Sequence, residues 1–222
     1  QNGWVSTPSY TLSLSGTDAA LFEIDANHQI KFRETLAADY ELKDSYKVTV
    51  TTTAFVSNGI AYESDLIISV NDVNENPTGF TLTGLTVAEN DAGALIGNIT
   101  GADPDGDGLT YSIVGGTDAT LFEVKDDALY LASGVSTDYE NDNQLEVQLQ
   151  ATDPLGLSYQ ETVTVSVQDV NEAPSAVTLS NFTVTENDPG SPWWPTKGAI
   201  IGTLEASDVD GDSVTLSLSG AD

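Results

Sequence analysis

Apolar and polar residues alternate with a period of two through much of this chain. Val163, Val165 and Val167 alternate with Thr162, Thr164 and Ser166, and Leu145, Val147, Leu149 and Ala151 alternate with Glu146, Gln148 and Gln150. A period of two marks strands with one face buried and one in water. Across the middle of the chain the pattern predicts seven strands, near 80–88, 94–102, 109–114, 121–124, 128–131, 144–152 and 158–170. Gly, Asp, Asn and Pro punctuate them, as turn chemistry requires. No stretch has helical periodicity. Seven short strands in about 97 residues predict an all-β, Greek-key β-sandwich.

The pattern recurs. Gly16–Glu23 reads GTDAALFE and Gly116–Glu123 reads GTDATLFE, 100 residues on. VAEN at Val87–Asn90 is matched by VTEN at Val184–Asn187, and DPDGD at Asp103–Asp107 by DVDGD at Asp208–Asp212. DVNE occurs at Asp72–Glu75 and again at Asp169–Glu172. Repeats of this length are tandem domains and not solenoid turns. The expected organisation is a partial repeat over 1–77 without its first two strands, a complete repeat over 78–174, and a partial repeat over 175–222 holding the first three strands. Both ends carry TLSLSG, at Thr11–Gly16 and Thr215–Gly220, and both copies are expected to be strands. The opening residues, Gln1-Asn2-Gly3-Trp4, are not a signal peptide and read like the middle of a longer polypeptide.

Hydrophobic residues make up 39% of the 222, so the chain can bury a core. Charge narrows the choice of partner. Six Lys and Arg against 35 Asp and Glu leave a formal charge of −29. Nucleic acid and anionic membrane surfaces would be repelled, whereas divalent cations would be attracted. No run of 18 apolar residues exists, so no membrane-spanning segment is expected. With no Cys, no disulfide staples the fold. A lone histidine, His28, is expected at a hairpin tip, which leaves triad chemistry without a base and argues against an enzyme.

The acidic residues are not spread evenly. In an odd-stranded sandwich the first and last strands end at opposite poles, so successive domains stack head to tail. Loops at the bottom of one domain then face loops at the top of the next. The first such joint would collect Asp39, Glu41, Asp72, Asn74, Glu75, Asp103, Asp105 and Asp153. The second would collect Glu89, Asp138, Glu140, Asp169, Asn171, Glu172, Asp208 and Asp210. Carboxylates so gathered repel one another unless a cation lies between them. Calcium takes six to eight oxygen ligands with tolerant geometry. Zinc and copper would want His or Cys.

Five motifs carry a family resemblance: E-N after the first strand, D-x-D-G-D, D-Y-E, A-T-D and D-V-N-E-(N/A)-P. In this order and spacing they resemble the cadherin repeat, in a form close to bacterial cadherin-like adhesin modules. The resemblance implies tandem seven-stranded sandwiches with Ca2+ at the junctions. It assigns Glu89, Asp138 and Glu140 to the upper domain of the second joint, Asp169, Asn171 and Glu172 to the linker, and Asp208 and Asp210 to the lower domain. Asp153 matches the family's A-x-D ligand and would serve the first joint with Asp103 and Asp105. The carbonyls of Val73 and Asn76 would complete that site. There are departures. Glu75 and Glu172 stand where animal cadherins usually carry Asp, and Ala54 stands at the position matching Asp153 in the first copy.

The expected function is structural: a calcium-rigidified adhesive segment of a large protein, extracellular or on the cell surface, whose partners are the neighbouring repeats of the same long chain. An eight-residue insertion, Ser191–Gly198 (SPWWPTKG), interrupts the third repeat. Its adjacent Trp193 and Trp194 either cover a core edge or form a stacking platform for carbohydrate or another copy of the chain. The platform is the alternative function, a ligand-binding module.

Overall fold

The computed structural model describes residues 10–54, 60–183 and 200–220. The chain divides into two compact units. One comprises residues 1–78 with the loops 103–108 and 153–157; the other comprises 79–102, 109–152 and 158–222.

In the first unit, β1 (Tyr10–Ser15), β4 (Ser45–Ala54) and β5 (Ala61–Ser69) form an antiparallel sheet in the order β1-β4-β5. A separate hairpin joins β2 (Phe22–Ile24) to β3 (Ile30–Phe32). The buried core is small: Phe22, Tyr46 and Val48, with Phe32 stacked 4.5 Å from Phe22. His28 sits at the exposed β2–β3 turn with φ of 64°, and its Nδ1 lies 3.2 Å from the Tyr10 hydroxyl.

The second unit contains a full sandwich. Its strands are β6 (Gly79–Leu82), β7 (Thr86–Ala88), β8 (Leu95–Ala102), β9 (Thr110–Gly115), β10 (Phe122–Lys125), β11 (Ala128–Leu131), β12 (Gln144–Thr152) and β13 (Ser158–Gln168). One sheet runs β10-β11-β8-β6 and the other β7-β13-β12-β9. The alternating residues do what the pattern requires. Leu145, Val147, Leu149 and Ala151 of β12 and Val163, Val165 and Val167 of β13 are buried, and they meet Ile96, Ile99, Leu129 and Leu131 from the facing sheet. A two-residue turn with positive φ at Asp126 and Asp127 closes β10 onto β11, the geometry that matches strand twist.

Two expectations need correction. The single strand foreseen at 80–88 is two strands in different sheets. β6 pairs antiparallel with β8, while β7 pairs parallel with β13. The break falls at Gly84, where a Cβ would lie 2.5 Å from the Ile96 carbonyl oxygen. Only Gly lets the backbone pass that close, and the first of the seven expected strands is therefore split into two segments, one in each sheet. The second correction concerns TLSLSG. The copy at Thr11–Gly16 supplies most of β1 and pairs with β4, but the copy at Thr215–Gly220 forms no strand. Among the described residues, no strand pairs with it. Beyond β13 the described strands are β14 (Ala176–Leu179) and β15 (Leu204–Ser207), paired with each other.

The repeated GTDA(A/T)LFE segment forms a single 3-10 turn in both copies. Its Asp is a staple. Asp18 accepts the Lys47 backbone N–H at 2.7 Å and Asp118 accepts that of Glu146 at 2.8 Å, each tying the turn to the start of a long strand.

Candidate metal centres

The first centre grows from three loops and a linker, all within the first unit. Asp39 lies within the β3–β4 connection. Its Oδ1 accepts the Leu42 N–H at 2.8 Å, which turns the chain through Glu41. The Asp103–Asp107 loop is wound on its own side chain: Asp103 Oδ1 accepts the Asp105 N–H at 3.0 Å, and Gly106 takes φ of 76°. In the linker, the Glu75 N–H donates to Asp105 Oδ2 at 2.9 Å. The Asn74 amide reaches Asp153 Oδ2 at 2.7 Å. Asp153 Oδ1 gathers the N–H groups of Leu155, Gly156 and Leu157 at 2.6–2.9 Å. The result brings carboxylate oxygens of Glu41, Asp72, Glu75 and Asp105 within 4.8 Å of one another.

The second centre repeats this plan within the second unit. Buried Glu89 accepts the Tyr139 N–H on one oxygen and the Val170 N–H on the other, each at 2.8 Å. Asp138 caps the turn ahead of Glu140 through the Asn141 N–H at 3.1 Å, as Asp39 does ahead of Glu41. The Glu172 N–H donates to Asp210 Oδ2 at 2.8 Å, and Asp208 Oδ1 accepts the Asp210 N–H at 3.2 Å. Here Glu89, Glu140, Asp169 and Asp210 converge within 4.8 Å.

The electrostatics of both sets are strained. Loss of hydration, then Glu41, Asp105, Asp72 and Asp39, push the Glu75 carboxyl above its usual range. Burial raises Glu140 against the bond to its own backbone N–H, with Glu89, Asp210 and Asp169 adding to it, and burial raises Asp169, with Asp210 and Glu89 adding. Burial and Glu89 raise Glu172 against the opposing Asn90 amide. Asp153 is different. Burial disfavours its charge, but the Asn74 amide and three backbone N–H groups hold it below normal. Among the described residues the four ion pairs use Asp18, Glu23 and Asp65, and none reaches either set. Three buried carboxylate oxygens, Asp103 Oδ2, Glu172 Oε2 and Asp210 Oδ1, have no hydrogen-bond partner. Buried polar atoms rarely go unpaired. An all-oxygen donor set with unpaired oxygens fits a hard cation of calcium's kind.

No protein-family model matches the chain. It is 29% identical to human cadherin-related family member 2, over 92% of this chain and 16% of that protein. It is 32% identical to rat protocadherin-16, over 80% of this chain and 5% of that protein. Among solved structures, protocadherin gamma B7 extracellular cadherin domains 1–4 superpose with a TM-score of 0.64 at 19% identity, covering 91% of this chain and 51% of that one. Human protocadherin-24 EC1-2 gives 0.57 at 22% identity, over 72% of this chain and 82% of that one. The chain is built of cadherin-like repeat domains.

Measured against the residues expected of a cadherin-like repeat, the two tight sets hold Glu41, Asp72, Glu75, Asp105, Glu89, Glu140, Asp169 and Asp210. The others surround them. Asp39 and Asp138 hold turns; Asp103 and Asp208 wind the D-x-D loops; Asn74 and Asn171 donate to the carbonyls of Glu75 and Glu172, at 3.2 and 3.0 Å. Asp153 anchors Asn74. Asn90 was missed. Its φ is 62° and its amide donates to Glu172 Oε1, holding the linker carboxylate of the second centre. The E-N motif contained it, but only its Glu was expected to be a ligand. Asp107 was not among the expected ligands. Its carboxyl is raised by burial and then by Asp103, Asp105, Asp153 and Asp72, so it belongs to the same field. Trp193 and Trp194 lie outside the described residues. No described helix is long and apolar enough to cross a membrane.

Proposed function

We propose that the chain is a calcium-binding adhesive segment of a larger extracellular or cell-surface protein. Its three repeats divide near residues 78 and 174, and calcium ties one repeat to the next. The reading rests on one observation: two sets of four carboxylates, each within 4.8 Å, beside buried carboxylate oxygens that lack any partner. Such sets are self-repelling alone and become stabilising once a divalent cation replaces proton and water. Glu41, Asp72, Glu75 and Asp105 would hold one ion, with Asp103 offering its free oxygen. Glu89, Glu140, Asp169 and Asp210 would hold another, with Glu172 alongside. Calcium's tolerance of crowded, irregular oxygen shells suits them better than magnesium's strict octahedron. The partners of the segment are neighbouring repeats of the parent chain and a like adhesive surface.

Calcium titration by calorimetry, on the chain and on Asp105→Ala and Asp210→Ala variants, tests this. Binding in the parent and a separate loss in each variant are expected. No heat in the parent, or unchanged binding in both variants, overturns it.

A further inference from the structure

The complete middle sandwich leaves one seam open. β6 is the last strand of its sheet, and β7 covers β13 only from Ser166 to Gln168. The Ser166 N–H donates to the Leu85 carbonyl at 2.9 Å, while the Val167 N–H donates to the Asn143 carbonyl at 3.0 Å on the opposite side. Main-chain groups alternate sides along a strand. Those of Thr162 and Thr164 therefore point the same way as Ser166, ahead of the start of β7, where no described strand pairs with them. By the same rule, the Thr83 N–H turns to the Asn98 carbonyl at 3.0 Å, and Phe80 and Leu82 aim their N–H and C=O groups outward.

A groove of about 430 Å3 lies between these two edges. Its floor is apolar: Phe80 and Val163 are buried, Leu82 is half-buried and Leu85 is 46% exposed. One residue breaks the pattern. Glu161 pairs with fully buried Leu149 across the β12–β13 ladder, so its side chain leaves β13 on the inward face. The inward residues that follow it, Val163, Val165 and Val167, are buried, whereas Glu161 is exposed and lines the groove. The Tyr159 hydroxyl donates to Glu161 Oε2 at 3.3 Å, and none of the described ion pairs includes Glu161. An inward carboxylate at a sheet edge turns away an apolar strand or an acidic one. It accepts a strand that brings a positive charge.

We infer that this seam binds an extended segment of a partner protein by strand addition, the segment carrying apolar side chains at alternate inward positions with a Lys or Arg among them. The segment continues the track of β7 along β13. Its main chain supplies partners for Thr162 and Thr164, as strand addition at an open edge does. Its apolar side chains cover Leu82 and Leu85, and its cation meets Glu161. A second copy of this chain is disfavoured as the occupant, because a formal charge of −29 on each copy sets like charges against one another.

Fluorescence anisotropy with a labelled peptide, acetyl-Thr-Val-Thr-Lys-Thr-Val-Thr-amide, tests this on the whole chain. Saturable binding is expected. Replacing the peptide's Lys by Glu should weaken binding at least tenfold, and Glu161→Lys should reverse that preference. Leu85→Asp, at a position already in water, should abolish binding while the thermal melt stays unchanged. Amide exchange at Thr162 and Thr164 should slow in the complex. No saturable binding at millimolar peptide overturns the inference. Equal binding of a peptide with Pro on both sides of Lys, which cannot join a ladder, overturns it too, since attraction between charges would then suffice. Unchanged exchange at Thr162 and Thr164 rules out this seam as the site. Sedimentation tests the rival occupant: mass that rises with concentration in the parent and not in Leu85→Asp would assign the groove to a second copy and overturn the proposal.

Discussion

The backbone N–H of Glu172 donates to Asp210 Oδ2 at 2.8 Å, and Glu75 makes the same bond to Asp105 Oδ2 at 2.9 Å. In both centres the linker is therefore latched to the D-x-D loop by neutral N–H groups, without help from a cation. The latch leaves other oxygens of the centres unpaired, and the predictions follow from what those oxygens lack.

Asp103 and Asp107 sit in one loop but should not matter equally. Asp103 has a buried oxygen with no partner and winds the loop with its other oxygen. Asp103→Ala should weaken calcium binding by about tenfold or more, a loss known even for residues one shell removed from a metal. Asp107→Ala should weaken it less. Calorimetric dissociation constants for the two variants check the order, and equal constants would contradict the assignment.

Stability in chelator should peak near the ordinary carboxylate range. Glu75, Glu140, Asp169 and Glu172 have raised pKa values in the folded state, so their protonation as pH falls toward 4.5 and 3.8 relieves repulsion and stabilises the fold. Asp18, Glu23, Asp25, Asp65 and Asp153 are lowered, so the stability they contribute is present above those values and lost as pH falls further. Thermal melts across pH 3–7 should pass through a maximum without calcium. With calcium, the neutral side should rise and the maximum should move to higher pH.

Leu129 is fully buried at the centre of the complete sandwich. Leu129→Ala should cost about 2–5 kcal/mol of unfolding free energy. Denaturant unfolding should detect it, and the calcium affinity of the first centre should change little.

Gly84→Ala probes the split first strand. The new Cβ meets the Ile96 carbonyl at 2.5 Å, and neither backbone can yield without loosening a ladder. A loss of about 1–3 kcal/mol, the scale of overpacking, is expected. Hydrogen exchange should accelerate at Thr83, whose N–H bonds to the Asn98 carbonyl.

Much of this was legible beforehand. Period-two alternation located β8 to β13 within a residue or two, because burying one face of a strand imposes that period. The acidic motifs named the eight carboxylates that converge. The division of labour among the remaining acidic residues was not legible. Asp39, Asp138 and Asp208 stand outside the two tight sets and each accepts a backbone N–H, and a carboxylate's letter does not say how close it comes to its neighbours. The break between β6 and β7 was hidden because alternation continues through Thr83-Gly84-Leu85 while the chain changes sheets. Asn90 was overlooked because an amide gripping a carboxylate has no spacing rule.

TLSLSG is a strand beside β4 and a stretch without strand pairing at Thr215–Gly220, where Leu216 and Leu218 stand exposed. Identical letters thus have two conformations, and the difference is the company they keep. Any cut through such a tandem array that separates this hexapeptide from its long partner strand turns two interior leucines into adhesive surface. The solubility of a fragment would then be set by where its ends fall, and not by how many intact repeats it retains.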